Sequence, residues 1–128
     1  MIALLAASAL FASELAVASV PGPDIRIEEQ KPAAYDALAH GRTAEAIAEL
    51  QAQLARDPND PALLINLGYA YARQGKLREA EQAYRAAIAS RSRYELEMAG
   101  GRWDDSRKVA QSSLAAIERS TQFAALSD

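Results

Sequence analysis

The sequence predicts a mostly α fold: two helix-turn-helix units in tandem, a short β-hairpin, and a C-terminal capping helix. Three observations predict it. Small and apolar residues recur at helical spacing across 60–92, as Leu64, Leu67, Gly68 and Tyr71, then Ala80, Tyr84, Ala87 and Ile88. The stretch 31–58 repeats this pattern with an offset of 34 residues, since Tyr35 aligns with Tyr69, Gly41 with Gly75, Ala46 with Ala80 and Ala55 with Ala89. After Arg93 the period changes to two, with Tyr94, Leu96 and Met98 alternating with Glu95 and Glu97.

The bulk numbers agree. The chain has 128 residues, enough for one small domain. Of these, 50% are hydrophobic, and many of those are alanines, which favours closely packed helices over a core of large side chains. The formal charge is -3 and the pI about 5.2, which argues against a nucleic-acid partner, since such binders carry a basic patch. With no cysteine, disulfides, thiol catalysis, cysteine zinc sites and a lipidated cysteine anchor are excluded.

Residues 1–18 resemble a secretory signal peptide. An apolar run from Ile2 to Ala12 precedes Ala16-Val17-Ala18, a small-x-small site that places cleavage before Ser19. No Lys or Arg precedes the run, and Glu14 interrupts its end. An uncleaved anchor and an alanine-rich helix are the other two readings. The run is short of the roughly 20 apolar residues that span a bilayer. Cleavage would remove Glu14 and change the formal charge from -3 to -2. Residues 19–30 form an extended linker, because Pro21 and Pro23 remove backbone donors and bias their predecessors away from helix.

The helical domain is expected over 31–120. Its first repeat, 31–58, begins at Pro32, breaks at Gly41, resumes with Thr43 as a cap, and closes at Pro58. Gln30, Ala33 and Ala37 stand where large residues are usual, so this edge is thinly packed. The second repeat, 60–92, opens with Asp60 as a cap and Pro61 in the first turn, and Gly75 ends its first helix. Residues 93–105 read as a hairpin turning at Gly100-Gly101 and returning through Trp103. A rival reading aligns Gly101-Arg102-Trp103 with Gly75-Lys76-Leu77 as a truncated third repeat, but that offset is 26 residues, 8 short of the 34-residue period. Ser106 caps the final helix, 106–120, whose face carries Ala110, Leu114, Ile117 and Thr121. Residues 121–128 are expected to fray.

Leu64-x2-Leu67-Gly68-x2-Tyr71 followed by Ala80-x3-Tyr84-x2-Ala87 resembles the tetratricopeptide repeat, whose pattern is Trp-x2-Leu-Gly-x2-Tyr, then Ala-x3-Phe-x2-Ala and a closing Pro. Ser92 stands at the closing proline of the second repeat, whereas Pro58 fills that position in the first. In this pattern Gly68 and Ala80 let the two helices approach, and Tyr71 and Tyr84 fill the space beside them. The resemblance implies a concave groove lined by the first helices, with Tyr35, Ile65, Asn66, Tyr69 and Arg73 facing a protein or peptide partner. Tyr and Arg are common anchors of such contacts. The other reading of Tyr35 and Tyr69 is packing between repeats. The groove has fewer basic and Asn residues than carboxylate-clamping members of the family, so a terminal carboxylate is not the expected ligand.

Catalytic chemistry is sparse. His40, the single histidine, precedes a turn glycine, where an exposed loop residue is a better reading than a base. There is no phosphate loop, nucleophile elbow or paired metal histidines. Glu95, Glu97, Asp104 and Asp105 share the hairpin, but a hard cation needs several oxygens converging at about 2.3–2.6 Å, and a solvated acidic face is the simpler reading. Trp103 either locks the hairpin onto the last helix or serves as an interface anchor. The expectation is a periplasmic or secreted protein-interaction module without enzymatic activity or cofactor. No stable membrane insertion is expected after leader cleavage, and the alternative location is membrane-anchored by an uncleaved N-terminal segment. The alternative function is a structural homodimer joined through the hairpin edge or the repeat ends.

Overall fold

The computed structural model describes residues 16–20, 34–98 and 100–127. Their elements, in chain order, are β1 (Ala16–Val20), α1 (Tyr35–Ala39), α2 (Thr43–Leu54), α3 (Pro61–Arg73), α4 (Leu77–Ala89), β2 (Glu95–Met98), β3 (Trp103–Asp105) and α5 (Ser106–Leu126). The apolar run of 2–12, Glu14, Pro21 to Gln30 and Pro32 lie outside the described residues.

The central repeat forms for local reasons. Asp60 Oδ1 accepts from the amides of Ala62 at 2.8 Å and Leu63 at 3.2 Å, two of the donors that a helix start leaves unpaired. Pro61 follows at a position where no amide is required. Gly75 ends α3 at φ +73, a left-handed turn natural to glycine, and the Lys76 amide then donates to the Tyr71 carbonyl at 2.9 Å. At Gly68 a Cβ would lie 2.7 Å from Cε1 of Tyr84, so the absence of a side chain is what lets that ring approach α3 so closely. Tyr84 and Ala80 are both fully buried.

The first repeat is slighter. Helix α1 has 5 residues and starts from Ala34 at φ +62, a conformation that alanine adopts at a cost. Thr43 is the first residue of α2 and not its cap; Arg42 holds the cap position without a side-chain hydrogen bond to the free amides of the first turn. Its guanidinium pairs with Asp36 at 2.7 Å and with Glu45 at 3.5 Å, tying the α1–α2 turn together on the surface.

The hairpin is present, and it settles the rival reading of a truncated third repeat. Strands β2 and β3 pair antiparallel, with Glu95 opposite Asp105, Leu96 opposite Asp104 and Glu97 opposite Trp103. Alternation sends Leu96 and Met98 into the core, while Glu95 is exposed and Glu97 half-buried. A third strand was not foreseen. β1 pairs antiparallel with the other edge of β2, giving the sheet order β1-β2-β3. It includes Ala18 and Ser19, on either side of the expected cleavage point.

Helix α5 differs from expectation at both ends. Asp105, not Ser106, is the cap, accepting from the amides of Arg107 at 3.0 Å and Lys108 at 3.2 Å. Ser106 is buried and exchanges two bonds with Tyr94: its amide donates to the Tyr94 carbonyl at 2.8 Å, and its Oγ accepts from the Tyr94 amide at 3.1 Å. The helix start is thereby fastened to the chain entering β2. At its other end α5 continues to Leu126, through residues expected to fray.

Two apolar clusters flank α3. One joins Leu64, Ile65, Ala80, Tyr84 and Ala87 to Leu96 and Met98 of β2 and to Val109, Ala110 and Ile117 of α5. Leu77, Ile88, Tyr94 and Leu114 pack around it. The second joins Leu67, Tyr69, Ala70 and Ala83 to Ala37, Leu38, Ala46 and Leu50 of the first repeat. The hairpin and α5 thus cover the apolar face that the second repeat leaves open.

Candidate protein-binding surface

The surface implied by the repeat pattern centres on α3. This helix carries Ile65, Asn66, Tyr69 and Arg73 at spacings that place them on adjacent turns. α2, α4, α5 and β1 all lie against it. The result is a helix with little free surface. Ile65 is 0% exposed, Asn66 2% and Tyr69 4%. Ile65 belongs to the cluster under the hairpin and α5, and Tyr69 to the cluster joining the two repeats.

Tyr35 and Arg73 reach solvent, the first half-buried and the second exposed. Tyr35 packs against the cluster that holds Tyr69. Arg73 Nη1 donates to the Tyr69 hydroxyl at 3.2 Å, and its guanidinium stands 5.7 Å from the centre of that ring. This bond and the cation–π contact hold a cation at the C-terminal end of α3, where the helix dipole also favours positive charge. Of the five residues implied for the groove, two form a solvent-facing rim around a buried tyrosine, and Ile65 and Asn66 lie in the interior.

Other residues differ from their expected settings. Trp103 is 44% exposed on the outer face of β3, opposite Glu97, and so does not lock the hairpin onto α5. Phe123 and Leu126 are exposed on the last turns of α5. His40 is exposed, with Nδ1 2.8 Å from the Asp36 carbonyl oxygen. Among the described residues no group of three or more His, Cys, Asp or Glu is placed to hold a metal ion. Asp105 is engaged by Arg93 at 2.8 Å, and Asp104 lies 3.7 Å from Lys108. No helix among the described residues is long and apolar enough to cross a membrane.

The two helix caps differ electrically. Burial pushes the Asp60 carboxyl above its ordinary range; the amides of Leu63 and Ala62 pull it down by less, and nearby Asp57 adds to the rise. Burial also pushes Asp105 up, but the Lys108 amide, the Arg93 guanidinium and the Arg107 amide together hold it below the ordinary range.

The tetratricopeptide repeat family matches residues 32–95, half of the chain, which covers both repeats and ends at the first residue of β2. The chain belongs to the tetratricopeptide repeat family. No curated protein and no solved structure matches it significantly. Tetratricopeptide repeats in general mediate protein–protein interaction and are not catalytic. The packing that defines the family is visible in this chain's Gly68–Tyr84 contact. The β1 strand was missed in the sequence because Ala16-Val17-Ala18 also fits a cleavage site; the one available signal was the pair of β-branched residues Val17 and Val20 in the pentapeptide.

Proposed function

We propose that this tetratricopeptide repeat protein is an exported, non-catalytic binding module that holds a segment of another protein at the rim formed by Tyr35 and Arg73. The observation that carries this reading is the two-repeat array with Tyr35 and Arg73 facing solvent around Tyr69. An aromatic ring with an exposed guanidinium beside it is a common contact anchor. The apolar run of 2–12 and the Ala16-Val17-Ala18 site support export to the periplasm or beyond. Cleavage before Ser19 would take three of the five residues of β1 away from α3.

Two experiments test the reading. N-terminal sequencing of native protein should begin at or near Ser19, and intact Met1 on a cytoplasmic protein would end the export half. For the binding half, a partner crosslinked to the native protein in cells should be lost from a variant carrying Tyr35→Ala and Arg73→Glu whose helical content is unchanged. A partner retained at the same yield by that variant would remove α3's rim from the interface.

A further inference from the structure

The edge of β2 that β1 occupies offers a second kind of contact. One edge of β2 is paired with β3 and the other with β1, in the register Ala18↔Glu97, Ser19↔Leu96 and Val20↔Glu95, with an irregularity between Ala16 and Ala18. β2 therefore accepts an extended, antiparallel segment from a distant part of the chain. On the export reading, cleavage before Ser19 removes Ala16, Val17 and Ala18. Ser19 and Val20 would then be the first two residues of the mature chain, and chain ends of this kind fray. The backbone donors and acceptors along that edge would be left to water or to another strand.

The charge pattern decides which strand. Leu96 and Met98 face the core, so Glu95 and Glu97 stand on the outer face, where Glu95 also neighbours Asp105. A second copy pairing β2 against β2 about a two-fold axis would keep both core faces on one side of the sheet. A register centred on Glu95, Leu96 or Glu97 sets a glutamate of one copy opposite a glutamate of the other, and like charges directly opposite destabilise a strand pair. The residues now opposite these positions, Val20 and Ala18, are small and uncharged.

We propose that the β2 edge is a slot for an extended segment of a partner protein that carries Lys or Arg opposite Glu95 and Glu97, and that Ala16–Val20 occupies it until the leader is cut. This rests on the export reading for the release of the slot. The partner adds a strand through backbone bonds, and its alternate basic residues supply the selectivity. The same cut shortens the strand that lies along both β2 and α3.

The test uses the full chain carrying Ala18→Pro and Ser19→Pro together. Successive strand residues alternate in the edge their amides face, so this pair removes a ladder donor whichever of the two points at β2. The probe is a synthetic nine-residue peptide alternating Lys and Val. The double variant should bind it about tenfold more tightly than does the wild-type chain, and about tenfold more tightly than it binds the Glu–Val counterpart. Hydrogen exchange at Glu95 to Met98 should slow on binding, and N-methylation of alternate amides on the peptide's pairing edge should abolish the effect. In the wild-type chain, which needs no substitution, excess Lys–Val peptide should expose the amides of Ala16 to Val20 while those of β2 stay protected. Equal binding of the two peptides, binding without protection of β2, or dimerisation of the double variant through β2 would each overturn the slot. Native protein that keeps Met1 would overturn the release step, while the peptide result on the double variant would still decide the slot.

Discussion

The two repeats share a spacing pattern and a glycine turn, yet they are held in different ways. The central repeat has a tyrosine seated in a glycine notch, with Tyr84 fully buried against Gly68. Its first helix, α3, has 13 residues and a bonded cap. The first repeat has alanines at 34 and 37, a first helix of 5 residues, and no side-chain cap on either helix. Its buried large side chains, Leu38 and Leu50, pack on Leu67, Tyr69 and Ala83 of the central repeat. A repeat cannot bury its apolar face alone. Here the central one is covered on both sides, and the first relies on its neighbour.

That difference is open to attack by mutation. Tyr84→Ala should cost about 3–5 kcal/mol, the range for removing a buried aromatic, and urea unfolding should show the whole domain losing that stability. Leu50→Ala, in the first repeat, should cost less, about 2–3 kcal/mol, because the thin edge can relax around the cavity. A larger loss for Leu50 than for Tyr84 would reverse the comparison.

Gly68→Leu should destabilise by about 1–3 kcal/mol, since even its Cβ would meet the Tyr84 ring at 2.7 Å. An unchanged melting temperature would remove the close contact from the account. Gly41→Leu has open space around its Cβ, so its cost should come from the φ of +73 alone and be about 1 kcal/mol.

The caps give the smallest effects and opposite signs. Asp105, held below its ordinary range, contributes stability that is present above its unfolded pKa of about 3.9 and is lost as pH falls through the lower folded value. Asp60, pushed up, contributes stability that is full below its unfolded pKa and is lost as pH rises through the higher folded value. At pH 7, Asp105→Asn should therefore destabilise by up to about 1 kcal/mol, whereas Asp60→Asn, still a capping residue, should be neutral or slightly stabilising. Denaturant titrations of both variants at pH 7 and at acid pH separate the two.

The repeats were legible because their signal is a spacing. Gly68, Tyr71, Ala80, Tyr84 and Ala87 specify a packing that nothing else in the chain competes with. The hairpin was legible for the same reason, through the period-two run from Tyr94 to Met98. Caps were read less well: Thr43 and Ser106 are good capping residues, but their neighbours Arg42 and Asp105 occupy the cap positions, and Ser106 is drawn into bonds with Tyr94 that only the folded chain brings near. The site was the least legible part. Spacing along α3 places Ile65, Asn66 and Tyr69 on the implied groove, but Ile65 is buried with residues of β2 and α5, remote in sequence, and Tyr69 with residues of the first repeat. β1 itself pairs with residues about 80 positions away, a distance over which local pattern carries no information.

The central claim is that the C-terminal segment closes the stack. A two-repeat array leaves the face around Leu77, Tyr84 and Ile88 open, and here β2 and α5 bury it through Leu96, Met98, Val109, Ala110 and Ile117. The direct measurement is to truncate the chain after Ser92 and record its mass in solution together with its thermal unfolding. The truncated protein should aggregate or lose its cooperative transition, and Leu114→Asp in the full chain should weaken the same transition by placing a charge in that contact. A truncated protein that stays monomeric, helical and as stable as the full chain would contradict the claim and reassign the apolar residues of the hairpin and α5 to a partner.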